Sequence, residues 1–400
     1  MRSYFGSQHN IASSVIGRIS FSPVSKVEKH SAIRVNPKLT DRELRGYAGV
    51  IMSHGAADRD YVHKSNLPIV YGAKGSDELC DGDIVELLPS GAVNVLYEKN
   101  SNDNVIFVTS KCNCNCIMCP QPPEYGEEGS LEMNLKLISL IDKSTEEIAL
   151  TGGEPTVVGD DLFRLILACK HFLPTTSVLL LTNGIKFSEY RYTQFFSSIG
   201  HPALTVAVSL YSDNPAGHDF VVGREGAFNQ TLRGLINLAL FDNPIEIRIV
   251  VHKYTCDRLA KFSEFIYRNL TFVKHVAYMG LETIGRGRDN LQSLWVEPSE
   301  IVWPLERAIH HSIQRDMSVS IYNMPLCLLP EKLWPYARQS ISGWKKCFAP
   351  KCVNCILMET CSGLFSSGIE IFEKYLTPIE KLTPEQVSYF VKLYPGSSSR

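Results

Sequence analysis

The sequence predicts an α/β fold, a partial barrel or open sheet of parallel strands, flanked by a small β-containing domain and a cysteine-rich extension. Three observations predict it. From Val105 to about Arg288, apolar strand runs alternate with amphipathic helical stretches, the pattern of βα units. Several of those runs, SVLLL and LTVAVSL among them, are continuously apolar, as strands buried on both faces are. The 12 cysteines are clustered rather than scattered.

Taken in chain order, residues 1–100 are rich in short β-type runs and turns. Within them DIVELL and AVNVLYE form two strands around a Pro-Ser-Gly turn. Residues 101–294 supply six strands, VIFVTS, EEIALTG, SVLLLTN, LTVAVSL, IEIRIVV and HVAYMGL, two short of a closed eight-stranded barrel. Residues 295–365 begin helically, with EIVWPLERAIHHSIQR, and become cysteine-rich with few regular elements from Cys327 to Cys361. Residues 366–400 end in a predicted helix that opens on the box-like T-P-E-Q.

Composition narrows the class of function. With 44% hydrophobic and 20% charged residues, the chain of 400 is neither collagen-like nor largely disordered, and it exceeds one ordinary domain. A net charge of -2 supplies no global basic field, so nucleic acid is not expected as a partner. The start, MRSYFGSQHNIASSVIG, lacks a signal-type apolar core, and no stretch of about 18 apolar residues follows, so a cytoplasmic location without membrane contact is expected.

Cysteine placement says where the chemistry lies. Cys112, Cys114, Cys116 and Cys119 share one short run; Cys327, Cys347, Cys352, Cys355 and Cys361 form a second group; Cys80, Cys169 and Cys256 stand alone. In a reducing compartment such groups are metal ligands more often than disulfides. Cys112, Cys116 and Cys119 give C-x3-C-x2-C, and three thiolates can hold three irons of a cubane while the fourth stays open. A zinc knuckle using all four cysteines is the alternative from spacing alone. The second group suits a structural zinc or an auxiliary iron-sulfur cluster.

The first run, placed after the first strand, resembles the signature of the radical S-adenosylmethionine (radical SAM) superfamily. LTGGEPT supports it, its Gly152, Gly153 and Glu154 matching the Gly-Gly-Glu motif that holds the cofactor's methionyl amino group. The paired glycines permit close approach of backbone to ligand, and the carboxylate accepts from an ammonium. LLLTNG resembles the family's third strand and VSLYS its fourth, which puts Ser209 near the cofactor's ribose or carboxylate; Arg248 on the fifth strand faces that carboxylate. HDFVVGREGAFNQTLRGLINL, with His218 and Arg224, resembles the segment that follows in peptide-modifying members, and Glu282, Arg286 and Arg288 lie in a loop fit to line cofactor or substrate. The resemblance implies a partial (β/α)6 TIM-type barrel and a [4Fe-4S] cluster on Cys112, Cys116 and Cys119, with Cys114 a non-ligand thiol. It also implies reductive cleavage of S-adenosylmethionine to methionine and a 5'-deoxyadenosyl radical that abstracts hydrogen from the substrate.

The second cysteine group resembles the SPASM or shorter twitch extension of peptide-maturing members. It departs from the full pattern, because the spacing from Gly343 to Cys347 is one residue short and no cysteine follows Cys361 at the expected position. This implies one auxiliary [4Fe-4S] cluster on Cys327, Cys347, Cys352 and Cys355, with Cys361 a rival for the last place. GVIMSHGAADRDYVHKSNLPIVYG and the DGDIVEL hairpin resemble the swivelling phosphohistidine domain, with His54 at the phosphorylated position; a borrowed fold used for substrate docking is the expectation. The whole layout, with Met118-Cys119-Pro120-Gln121-Pro122-Pro123, is similar to the His-Xaa-Ser system radical SAM maturases. That likeness implies a small ribosomally made peptide as substrate, a second maturase, and an external electron donor such as flavodoxin or ferredoxin. A radical SAM enzyme acting on a small molecule or RNA, and a non-catalytic zinc or iron-sulfur protein, are the alternatives.

Overall fold

The computed structural model describes residues 2–36, 44–53, 62, 65–123, 129–343, 345–384 and 386–387. Its strands fall into two large sheets and a small one. The first sheet contains β1 (Ser3–Phe5), β2 (Ser7–His9), β3 (Val15–Ser20), β4 (Ala32–Val35), β5 (Gly49–Ser53), β6 (Ile69–Ala73), β7 (Ile84–Leu87) and β8 (Ala92–Tyr97), in the order β1-β8-β7-β3-β4-β5-β6-β2. The hairpin expected around the Pro-Ser-Gly turn is β7–β8, paired antiparallel. Alternating apolar residues bury the two faces in separate clusters, one around Ile19, Ile33 and Val85 and one around Val50, Met52 and Ile69. His54 lies outside the described residues.

The second sheet is parallel throughout. It runs in sequence order through β9 (Val105–Thr109), β10 (Glu147–Gly152), β11 (Ser177–Thr182), β12 (Leu204–Ser209), β13 (Ile245–Val251), β14 (His275–Gly280), β15 (Ser318–Tyr322) and β16 (Ala337–Arg338). The six expected strands are all present, and the sheet continues by two more. Parallel neighbours require crossovers, and the helices Leu131–Leu140, Asp160–Phe172, Tyr190–Ser198, Ala227–Leu240, Leu259–Asn269 and Pro298–Ile313 supply those from β9 to β15. These helices pack on the outer face, where Val178, Leu180, Val206, Val208, Ile247 and Ile249 join the main core. The other face therefore carries Glu147, Ser209, Glu246, Arg248, His275 and Tyr322, a polar interior unlike the branched apolar filling of a closed barrel. Among the described residues β9 and β16 are not paired, so the barrel stays open along one side.

The two large sheets are docked at the end of the barrel where its strands begin. Ile16, Ile84 and Tyr97 share a core with Leu137, Leu140 and Ile141. The Tyr97 hydroxyl bonds Thr145 Oγ1 at 2.8 Å, Lys99 pairs with Asp142 at 3.4 Å, and Arg18 donates to the Leu140 carbonyl. The small sheet, β17 (Lys346–Cys347) against β18 (Leu364–Phe365), lies in the cysteine-rich extension. Of the expected C-terminal helix, only its start is described, where Thr383 and Gln386 exchange side-chain and backbone hydrogen bonds; the remainder lies outside the described residues. Among the described residues, no helix is long and apolar enough to cross a membrane.

Candidate functional site

Cys112, Cys114, Cys116 and Cys119 lie on the loop that leaves the C-terminal end of β9, the face on which barrel enzymes carry their chemistry. The loop has little regular structure of its own, and its backbone is satisfied by neighbours. The Gly-Gly turn after β10 meets its start: Gly153 N–H donates to the Thr109 carbonyl at 2.7 Å and Glu154 N–H to the Lys111 carbonyl at 2.8 Å. The paired glycines therefore admit protein backbone. A Cβ on Gly153 would run into the carbonyls of Ser110 and Lys111, and one on Gly152, at φ +150°, into that of Thr109.

Other segments close on the loop from further sides. Asn115 and Ile117 donate their N–H groups to the carbonyls of Val222 and Val221, at 2.9 and 3.0 Å, at the end of the helix Pro215–Val222. Arg224 Nη1 donates to the Asn113 carbonyl at 2.8 Å, and Asn183 Nδ2 to Asn113 Oδ1 at 2.6 Å. From the loop after β14, Arg286 N–H reaches the Cys119 carbonyl at 2.9 Å and Asn290 Nδ2 the Ile117 carbonyl at 2.8 Å. His218 and Arg224, placed by sequence in this neighbourhood, are brace residues: His218 is 1% exposed. Asn183 and Asn290 were not singled out, and only the turn-type TNG after a strand marked the first.

Burial pushes up the thiols of Cys112 and Cys116, and Cys114 to about 12. Buried thiols of this kind give up their protons most readily to a metal, which deprotonates a coordinating sulfur outright. Cys114 N–H points at Cys112 Sγ, 3.4 Å away, the type of contact that steadies a ligating sulfur. Cys114 itself is 6% exposed among Met118, Val221 and Val222, with Asn183 Nδ2 at 3.6 Å from its sulfur. Three partly accessible thiols and one packed away fit a three-cysteine cluster.

Glu154 is 1% exposed, and both its carboxylate oxygens are bonded to the protein. Its Oε1 accepts from Thr156 N–H at 3.0 Å, Thr156 Oγ1 at 2.7 Å and Thr182 Oγ1 at 2.7 Å; its Oε2 accepts from Asn183 N–H at 2.6 Å. Burial raises its pKa, against the pull of these donors. The carboxylate thus ties β10 to β11, while Oε2 keeps acceptor capacity for an ammonium. Ser209 ends β12 and stands opposite Arg248 in the β12–β13 register. The Arg248 guanidinium is bonded through Nε to Glu246 Oε1 at 2.6 Å and, among the described residues, through neither outer nitrogen. The barrel therefore offers an ammonium acceptor just after β10 and a cation on β13, with β11 and β12 between them.

The second group converges as well. Cys327, Cys347, Cys352, Cys355 and Cys361 all line one recess, walled by Leu326, Ala349, Leu364 and Leu376. Leu326 N–H lies 3.4 Å from Cys361 Sγ, and burial raises Cys327 to about 11. Five thiols thus surround one recess, one more than a cubane needs, with Cys355 and Cys361 both at hand for the last place. The loop after β14 connects the two cysteine sites: besides its bonds to Ile117 and Cys119, Glu282 pairs with Lys345 at 2.9 Å, and Trp295 packs on Phe372 and Tyr375. Among the described residues no three or more His, Cys, Asp or Glu are drawn close enough for a single metal ion.

Residues 106–266 match the model of the Radical SAM superfamily. The chain is 27% identical over 220 residues to a GTP 3',8-cyclase of Desulforamulus reducens, covering 53% of this chain and 65% of that protein. It is 21% identical over 210 residues to the sporulation killing factor maturation protein SkfB of Bacillus subtilis, covering 51% and 48%. Among solved structures, Streptococcus suis SuiB bound to S-adenosylmethionine aligns at a TM-score of 0.44 and 13% identity, over 54% of this chain and 49% of that one. The matched stretch spans between about half and two thirds of these proteins.

Proposed function

We propose that this chain, which carries a radical SAM domain over residues 106–266, is a radical SAM enzyme that matures a small ribosomally made peptide. The observation that carries the proposal is the cysteine loop at the C-terminal ends of the strands, braced by backbone of Gly153, Glu154, Val221, Val222 and Arg286 and by the side chains of Asn183, Arg224 and Asn290. In this reading Cys112, Cys116 and Cys119 hold a [4Fe-4S] cluster, and the remaining iron takes S-adenosylmethionine. When bound and reduced, that pair supplies a 5'-deoxyadenosyl radical that abstracts hydrogen from the substrate.

The chain's own residues do the binding and aiming. Glu154 Oε2 accepts from the cofactor ammonium; Arg248 meets its carboxylate with the guanidinium nitrogens that Glu246 leaves unbonded; Ser209 contacts its ribose or carboxylate. The five-thiol recess holds one auxiliary [4Fe-4S] cluster, and the 281–297 segment fixes its distance from the first. The peptide reading draws on the cysteine-rich extension, which is like that of peptide-maturing enzymes, and on the similarity to SkfB. The similarity to GTP 3',8-cyclases favours a second reading, in which the substrate is a small molecule such as a nucleotide.

Anaerobic reconstitution tests the proposal. The protein should bind about eight irons per chain and, with reductant and S-adenosylmethionine, release 5'-deoxyadenosine, an activity that disappears in Cys116→Ala. A colourless, zinc-loaded protein overturns it. A short reading frame beside this one encoding His-Xaa-Ser repeats, whose product is altered on incubation, separates the peptide reading from the small-molecule one.

A further inference from the structure

A second recess opens where β13, β14 and β15 end, on the same face as the cysteine loop, and no role given above uses it. Val251, Gly280 and Met324 line it at those strand ends. Its place is fixed by what its walls also touch. Leu281 and Leu294 line it and belong to the apolar cluster that packs Cys112, Cys114 and Cys116. Leu328 and Phe372 line it and belong to the cluster that packs Cys327, Cys347 and Cys352. Pro325 lines both this recess and the five-thiol one. The second recess therefore lies between the two cysteine sites and shares a wall with each.

The lining decides what such a place can hold. Among the described residues no Lys, Arg, His, Asp or Glu lines it, and its polar side chains are Asn323 and Trp295. Both are already engaged: Asn323 Oδ1 accepts from Ser340 Oγ at 2.8 Å, and Trp295 Nε1 donates to Glu297 Oε1 at 3.0 Å. A charged group entering here would lose its water without gaining a partner, whereas an apolar side chain gains by burial. A nucleotide triphosphate would find no cation. We propose that this recess binds a large apolar side chain of the peptide substrate, leucine- or phenylalanine-like, and so selects which part of that peptide is presented between the two cysteine sites. The inference rests on the peptide-maturing radical SAM reading and adds to it the class of side chain that is recognised.

The test uses the reconstituted holoprotein with dithionite, S-adenosylmethionine and the amides of acetyl-Ala-Leu-Ala, acetyl-Ala-Ser-Ala and acetyl-Ala-Lys-Ala, deuterated at every carbon-bound position. When the 5'-deoxyadenosyl radical breaks a peptide C–D bond, the deuterium passes to its 5' carbon and the unpaired electron stays on the peptide. The label in 5'-deoxyadenosine, read by mass spectrometry, therefore reports presentation whichever carbon reacts. The leucine peptide should give at least about tenfold more label than the serine or lysine peptide. Val302 lines the recess from the helix Pro298–Ile313. Val302→Phe, which fills the recess, and Val302→Asp, which puts a charge in it, should each bring the leucine peptide down to the level of the other two; if one variant does not fold, the other and the wild-type ranking decide. Equal label from the three peptides, or a leucine preference that survives in a folded Val302 variant, overturns the inference. Loss of the leucine label when GTP competes overturns the peptide reading, and a wild-type protein that forms no 5'-deoxyadenosine overturns the radical SAM reading.

Discussion

Glu154→Gln separates what the carboxylate does for the protein from what it does for a cofactor. The side chain receives four hydrogen bonds at 2.6 to 3.0 Å and is 1% exposed. A glutamine has the same shape, but its amide nitrogen has no acceptor to offer. If the amide oxygen keeps the three donors of Thr156 and Thr182, the nitrogen faces the Asn183 N–H; if it is turned over, it faces the Thr156 N–H. Either way one buried backbone donor is left unpaired, at about 1–3 kcal/mol, and the charge-assisted bonds weaken. The raised pKa of Glu154 shows that the charge itself is held at a cost, which the amide relieves, so the net loss is about 2 kcal/mol. For a unit of this size that lowers the melting temperature by roughly 4–8 °C. The assay is differential scanning calorimetry of the cofactor-free protein. A variant melting within about 1 °C of wild type would show that this network does not hold β10 to β11.

Gly153→Ala drives a methyl group into the Ser110 and Lys111 carbonyls; it should lower catalytic iron in a reconstituted sample and cost about 1–3 kcal/mol by overpacking, read from urea unfolding. Cys352→Ser and Cys116→Ala should each remove about half of the eight irons, but only the second should abolish the signal that changes on addition of S-adenosylmethionine. Burial lowers His218 and His252 to about 4 from 6.5. The unfolded chain takes up these protons first as pH falls, so stability is full above pH 6.5 and declines towards pH 4, by about 3 kcal/mol for each histidine. Unfolding midpoints that stay level across that interval would contradict the assignment.

The parallel strands were legible because short apolar runs, some as unbroken as SVLLL, alternate with amphipathic helical stretches, a signal that survives without tertiary information. SVSIY at 318–322 was not, since its alternating residues follow directly on a helix, and the two residues of β16 exist as a strand only through pairing with β15. The cysteine spacing placed both metal-type sites, yet it could not tell that five thiols surround one recess. Gly152 and Gly153 were found by motif, but their physical reason, contact with Thr109, Ser110 and Lys111, depends on a neighbour some 40 positions earlier in the chain. Asn183 and Asn290 carry no pattern of their own; they matter through what the fold sets against them.

The docking of the first sheet at the starts of the barrel strands has a metric consequence. Tyr97 touches Thr145, just before β10, whereas the cysteine loop touches Gly153, just after it; the intervening strand spans roughly 20 Å. Were a peptide substrate anchored on the first sheet, it would have to stretch at least about six residues past its anchor to bring a side chain to the sulfurs. The barrel's height would then act as a ruler, and shortening the spacer of such a peptide below that length should leave it held and unmodified.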